Sequence, residues 1–202
     1  MKVIEQLLVN AGISPIAGVD EAGRGACAGP LVIASVVLND PFAQELSVVR
    51  DSKEISENKR ESVFELIHKV AASISVVIVP ASEVDSRGVH AANLDGMRRA
   101  VQGLSVEPAY VLTDGYAIEG LGVPNLAVWK GDQVVVSISA ASVVAKVTRD
   151  RIMRELDQEF PHYGFAGHKG YITAAHTKAL NEHGPCTQHR TSFANIASLI
   201  HK

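Results

Sequence analysis

Apolar positions recur along this 202-residue chain in two rhythms, and the alternation between them predicts most of its elements. Two dense β-branched runs, "SPIAGVD" and "PLVIASVVL", flank a glycine-rich stretch, which predicts two neighbouring strands joined by a tight connection. "SISVVIVP" and "AYVLTDG" predict two further strands, the second buried and ending at Asp114, and "NLAVW" is a possible short one. The other rhythm is helical. Residues 3–10 read as a short helix, and "SENKRESVFELIHKV" puts Val63, Leu66, Ile67 and Val70 on one face behind the capping residue Ser56. "ASEVDSRG" predicts a short helix, and "AANLDGMRRAVQGL" a longer one with Leu94, Met97 and Val101 aligned. From Gln133 to Phe160 the rhythms conflict. "VVVSIS" favours strand by β-branching, whereas "AASVVAKVTRDRIMRELDQEF" has helical composition and period, so a helix is expected from near Ser137. Helices are also expected at 173–183 and 191–200. Strands followed by alternating helices predict an α/β fold with a central mixed sheet.

Length and composition narrow this picture. A chain of this size suits a single domain over 1–202 with a sizeable core and a helical C-terminal segment from about residue 173. No apolar run reaches the roughly 18 residues of a membrane span, and "MKVIEQLLVN" lacks the apolar core of a signal peptide, so a cytoplasmic protein without membrane contact is expected. Cys27 and Cys186 form no CxxC pair, which indicates packed or free thiols. A net charge of -3 removes any global attraction for nucleic acid, so such a partner would have to be held by local patches.

The acidic residues fall into two kinds. Most lie within helical stretches beside Lys or Arg, as in "RDRIMRELDQEF", and read as solvated faces. Asp20 and Glu21 instead terminate one apolar run, Asp114 terminates another, and Asp132 follows a third in "VWKGDQ". Each of Asp114 and Asp132 has a simple explanation as a turn residue that caps nearby amides. The four together have another, as a site for hard divalent cations that take carboxylate oxygens and leave room for phosphate oxygens. Adjacent strand residues point to opposite faces, so Asp20 and Glu21 can share one site only if the strand ends there. Gly23 and Gly25 allow that turn.

"GVDEAGRG", "DSK", "TDGY", "KGD", "SAASVVAKVTRDR" and "HKGY", in this order from residue 18 to residue 171, closely resemble the bacterial ribonuclease HII family, the type 2 ribonucleases H. The resemblance implies a ribonuclease H-like fold and Mg²⁺- or Mn²⁺-dependent endonucleolytic cleavage of the RNA strand in RNA/DNA hybrids, with two ions when substrate is bound. It also implies incision 5′ of single ribonucleotides in duplex DNA, leaving 3′-hydroxyl and 5′-phosphate ends. By motif match the metal-binding, catalytic carboxylates fall on Asp20, Glu21, Asp114 and Asp132. Gly23, Arg24 and Gly25 fall on the segment associated with recognising the 2′-hydroxyl, the group that separates RNA from DNA. Tyr171 falls on the tyrosine that packs against the adjacent deoxyribose.

Basic and hydroxyl side chains in the same motifs are candidate phosphate contacts: Lys53, Lys146, Arg149 and Lys169, with Ser52 and Ser142 as neutral donors. Lys146 and Arg149 are three apart on the expected helix and share a face. None of the eight histidines forms a zinc-type i, i+4 pair in the C-terminal quarter, and all are left outside the catalytic set. "GRGACAG" has one residue too many for a dinucleotide fingerprint and lacks the Lys-Ser/Thr of a phosphate-loop NTPase. A non-catalytic nucleic-acid-binding module is the competing class, yet four converging acids would repel phosphate unless metals intervened. A monomer is expected.

Overall fold

The computed structural model describes residues 3–49 and 56–200. Its elements run α1 (Val3–Asn10), β1 (Ile16–Ala22), β2 (Leu31–Leu38), a 3-10 turn (Gln44–Val49), α2 (Glu57–Val70), β3 (Ala71–Val79), α3 (Ala81–Arg87), α4 (Val89–Gln102), β4 (Tyr110–Asp114), β5 (Asn125–Val128), α5 (Gly131–Val134), α6 (Val136–Glu159), α7 (Phe165–His168), α8 (Ala174–His183) and α9 (Ala194–Ile200). The five strands form one mixed sheet in the order β3-β2-β1-β4-β5. The pairs β1–β2 and β2–β3 are antiparallel, while β1–β4 and β4–β5 are parallel.

Two apolar layers sandwich the sheet, which explains why "PLVIASVVL" is apolar without alternation: every residue of β2 is buried. Val32, Ala34, Val36 and Leu38 meet Val63, Phe64 and Ile67 of α2 and the apolar side of α6. Leu31, Ile33 and Val37 turn the other way, towards Met97, Ala100 and Val101 of α4. The Ser56 hydroxyl caps α2 by accepting from the Lys59 amide, as the capping pattern predicts.

The long helix α6 starts within one residue of the expected Ser137, against the strand preference of its first residues. "VVVSIS" is not a strand; Val134 closes the short α5, and α6 begins at Val136. Tertiary packing overrides the β-branched preference because this end of α6 is buried against β1. The approach is close: a Cβ on Gly18 would lie 2.1 Å from the Ser137 carbonyl carbon, so only glycine fits. Both oxygens of the buried Glu5 carboxylate on α1 accept from the Val136 and Ser137 amides, at 2.8 and 3.0 Å, and cap the helix from outside its own segment. The 3-10 turn, α5 and α7 had no periodic signal, being too short to show one.

Candidate active site

The parallel pairing of β1 with β4 assembles the acids. Val19 lies opposite Thr113, which brings Asp20 beside Asp114 one step further along the two strands. The β1–β4 register ends at Val19, whereas β1 continues to Ala22 alongside β2. Asp20 and Glu21 both reach one cavity of about 410 Å³, which Asp114 also lines. Gly23 has a φ of 86° and turns the chain, with the Ala26 amide donating to its carbonyl at 3.2 Å. The strand ends one residue beyond Glu21, at Ala22, so both carboxylates sit on its last turn-proximal stretch and reach the cavity although β1 is still paired with β2 there.

Asp132 arrives differently. It sits in the first turn of α5, buried, and does not line the cavity. Its helix is docked on the other acids through its neighbour: the Gly131 amide donates to Asp114 Oδ1 at 2.8 Å. Ser139 at the start of α6 donates to the Asp132 carbonyl, fixing the helix from behind.

The electrostatics are those of a crowded anionic site. Burial pushes the Asp20 carboxyl up to about 8, and the charges of Glu21 and Asp114 add to the effect, while the Ser142 hydroxyl and the Glu21 amide, the latter 2.7 Å from Oδ1, oppose it. A buried acid whose proton affinity is raised by the carboxylates beside it belongs to a donor set for a hard cation, which would replace the proton. Among the described residues no three His, Cys, Asp or Glu side chains form a ready-made coordinating group, so ligation would require the carboxylates to adjust their side chains.

Opposite the acids stand Arg24, Arg60, Lys146 and Tyr171. Lys146 is held 2.5 Å from Asp150, and Arg60 lies 4.0 Å from the same carboxylate, so one buried acid orients two cations. Arg60, on α2, has no distinguishing signal in sequence because it lies in an ordinary charged helix. Arg24 lays its guanidinium 4.5 Å from the Tyr116 ring centroid. Tyr171 is 42% exposed and lines the cavity, as a substrate-facing tyrosine would and a core tyrosine would not. Ser142 lines it as well. Ser52 and Lys53 lie outside the described residues.

Two expected phosphate contacts need correction. Arg149 does not share a solvent face with Lys146: it is 1% exposed, and its guanidinium donates to the carbonyls of Pro30, Lys169 and Ala28 at 2.9, 2.9 and 3.1 Å. The helix turns it under the glycine-rich segment, where neutral carbonyls satisfy it. Lys169 has left-handed backbone, does not line the cavity, and donates from its ammonium to the Ala166 carbonyl at 2.6 Å.

Arg190, which no motif singled out, is the counterpart of Arg149. Fully buried, it donates twice to the Gly29 carbonyl, at 3.1 and 3.0 Å, and once to the Arg24 carbonyl at 3.1 Å. Burial, with the adjacent Arg149 charge, pulls it down to about 10, so it stays protonated at neutral pH. The backbone on either side reinforces the contact: the Gly29 amide donates to the Gln188 carbonyl and the Arg190 amide to the Cys27 carbonyl, both at 2.8 Å. The segment bearing Tyr171 is joined to the same loop, since the Cys27 and Ala28 amides both donate to the Gly170 carbonyl.

Among the described residues no histidine lines the cavity, and His176 and His189 form a chain beneath the loop. His176 Nδ1 lies 2.9 Å from the Tyr171 carbonyl, its Nε2 lies 3.0 Å from His189 Nε2, and the Cys186 amide donates to His189 Nδ1 at 2.9 Å. These partners assign both rings as neutral, His176 protonated on Nδ1 and His189 on Nε2. Cys27 and Cys186 are both free thiols.

Comparison with known proteins places this architecture. The ribonuclease HII family profile matches residues 17–196. Ribonuclease HII of Acidothermus cellulolyticus is 58% identical over 192 residues, which cover 95% of this chain and 62% of that protein. Ribonuclease HII of Mycolicibacterium gilvum is 54% identical over 200 residues, covering 99% of this chain and 79% of that one. Among solved structures, ribonuclease H2 from Pyrococcus horikoshii superposes with a TM-score of 0.80 at 26% identity, covering 92% of this chain and 97% of that chain. With a mixed five-stranded sheet, flanking helices and matches across nearly its whole length, the chain belongs to the ribonuclease HII family, the type 2 ribonucleases H that hydrolyse the RNA strand of RNA/DNA hybrids.

Proposed function

We propose that this protein is a divalent-metal-dependent endonuclease that cuts the RNA strand of RNA/DNA hybrids and incises 5′ of single ribonucleotides in duplex DNA, leaving 3′-hydroxyl and 5′-phosphate ends. The observation that carries the reading is the meeting of Asp20, Glu21 and Asp114 with Gly23, Arg24, Gly25 and Tyr171 around one cavity. Asp20, Glu21, Asp114 and Asp132 would hold Mg²⁺ or Mn²⁺, two ions with substrate bound. Bound there, such cations polarise the scissile phosphate and acidify the attacking water. The protein's own groups do the rest. Ser142 and the Glu21 amide orient the Asp20 carboxylate. Gly25 is exposed with nothing within 4 Å of a would-be Cβ, so backbone groups there are open to a 2′-hydroxyl. The Tyr171 ring offers a flat apolar surface to the next sugar, and Arg24, Arg60 and Lys146 supply phosphate contacts. The enzyme acts as a single catalytic domain and as a monomer.

A labelled duplex with one ribonucleotide, incubated with Mg²⁺ and then with EDTA, tests the reading. Cleavage 5′ of the ribonucleotide that EDTA abolishes is the expected result. Asp132→Asn should lose more than about 100-fold in turnover while its unfolding midpoint holds. Binding of the duplex without any cleavage would instead identify a nucleic-acid-binding module.

A further inference from the structure

The geometry points to Arg190 as a positioning residue for ribose recognition: from beneath the loop, its guanidinium sets the backbone of Gly23–Gly25 relative to the carboxylates. The inference rests on reading that segment as the part of the site that meets the 2′-hydroxyl.

Three observations carry it. The first is the fork itself. A planar guanidinium holding Gly29 through Nε and Nη2 and Arg24 through Nη1 spans both ends of the loop at once, and only arginine has donors in that fixed arrangement. The second is that the loop's backbone bonds to Gly170, Gln188 and Arg190 are made by residues 27–29, whereas the Arg24 carbonyl is met by the Arg190 side chain. Arg149 packs against it so closely that a Cβ on Gly23 would lie 1.9 Å from Arg149 Nε, yet the hydrogen bonds Arg149 makes go to Ala28, Pro30 and Lys169, none to residues 23–25. Arg190 supplies the side-chain bond that reaches Arg24. The third is that the acceptors are neutral. The hydrogen bonds of both buried guanidiniums, among the described residues, go to backbone carbonyls, so their charge is not cancelled by a hydrogen-bonded carboxylate and adds a positive field under a loop that must approach phosphate.

Arg190 is in turn held by its neighbours. Both oxygens of Asp85, at the end of α3, accept from Thr191 and Ser192, through each amide and each hydroxyl, at 2.6–2.9 Å. The position of the recognition loop thus depends on a segment more than 160 residues further along the chain.

Arg190→Lys keeps the charge and removes the fork. With a duplex carrying one ribonucleotide, kcat should fall by about ten- to a hundredfold while KM changes by less than about threefold, because the loop is misplaced in the reacting geometry rather than lost as a binding surface. Mg²⁺ affinity measured by calorimetry should stay at the wild-type value, since no carboxylate is touched. If Arg190→Lys does not fold, Asp85→Ala loosens the same segment from the surface and should show the same split, kcat down and Mg²⁺ affinity unchanged, on a smaller scale. Wild-type kcat in the folded variant would overturn the inference, as would a fall in kcat matched by an equal fall in Mg²⁺ affinity. Gly25→Ala keeps the two ideas apart: if it is fully active, the loop does not read ribose; if it is impaired while Arg190→Lys is not, only the positioning role fails.

Discussion

At the scale of single residues, the glycines of "GRG" differ in what they do. Gly23 combines a left-handed φ of 86° with contact against Arg149, so Gly23→Ala strains the backbone and displaces a buried guanidinium. It should destabilise the protein by more than about 1 kcal/mol in urea unfolding. Gly25 meets neither condition, since a methyl group there would point into open space. Gly25→Ala should leave stability within about 0.5 kcal/mol yet slow cleavage at a single ribonucleotide by about tenfold or more. Equal stability losses in the two variants would refute the distinction. The acids were legible in sequence because a carboxylate ending an apolar run is costly unless something compensates it. Arg60 and Arg190 were not. One resembles any charge on a solvated helix, and the other acquires its meaning only when residues 24–29 and 188–190 meet.

At the scale of elements, strands and long helices were readable from period alone, and α6 shows where local preference yields. Its first turn carries β-branched residues that favour strand, but burial against β1 and the external Glu5 cap outweigh a preference of a few tenths of a kcal/mol per residue. The C-terminal helices rest on the neutral histidine chain, and this gives them a pH response. Burial, then the nearby His176, pulls His189 down to about 4 from an ordinary 6.5, and His176 is lowered by burial too. In the folded chain a second proton is opposed, because it would set N–H against N–H between the two Nε2 atoms or against the Cys186 amide, offset only in part by the Cys186 carbonyl 3.3 Å from His189 Nδ1. Between pH 6.5 and 4 the unfolded chain therefore binds more protons than the folded one, and stability falls as pH falls. The expected loss is about 2–3 kcal/mol across that window in urea unfolding, and His189→Gln should flatten it. An unchanged slope in the variant would show that the titration lies elsewhere.

At the scale of the whole molecule, a net charge of -3 coexists with a cleft that presents Arg24, Arg60 and Lys146, so attraction for nucleic acid is local rather than global. About three phosphate contacts should give a log–log dependence of binding on salt with a slope near -3, measured by anisotropy in Ca²⁺ to suppress cleavage. A slope steeper than about -6 would mean that a much wider face engages the duplex. The pairing of Ala28 with His189 has one more consequence, for how the enzyme comes into being. Strands β1 and β4 and all four acids leave the ribosome well before Gln188 does, so the clasp that seats the ribose-facing loop is made only after the acids it serves. A chain cut short before Gln188 would possess every carboxylate and still be a poor nuclease.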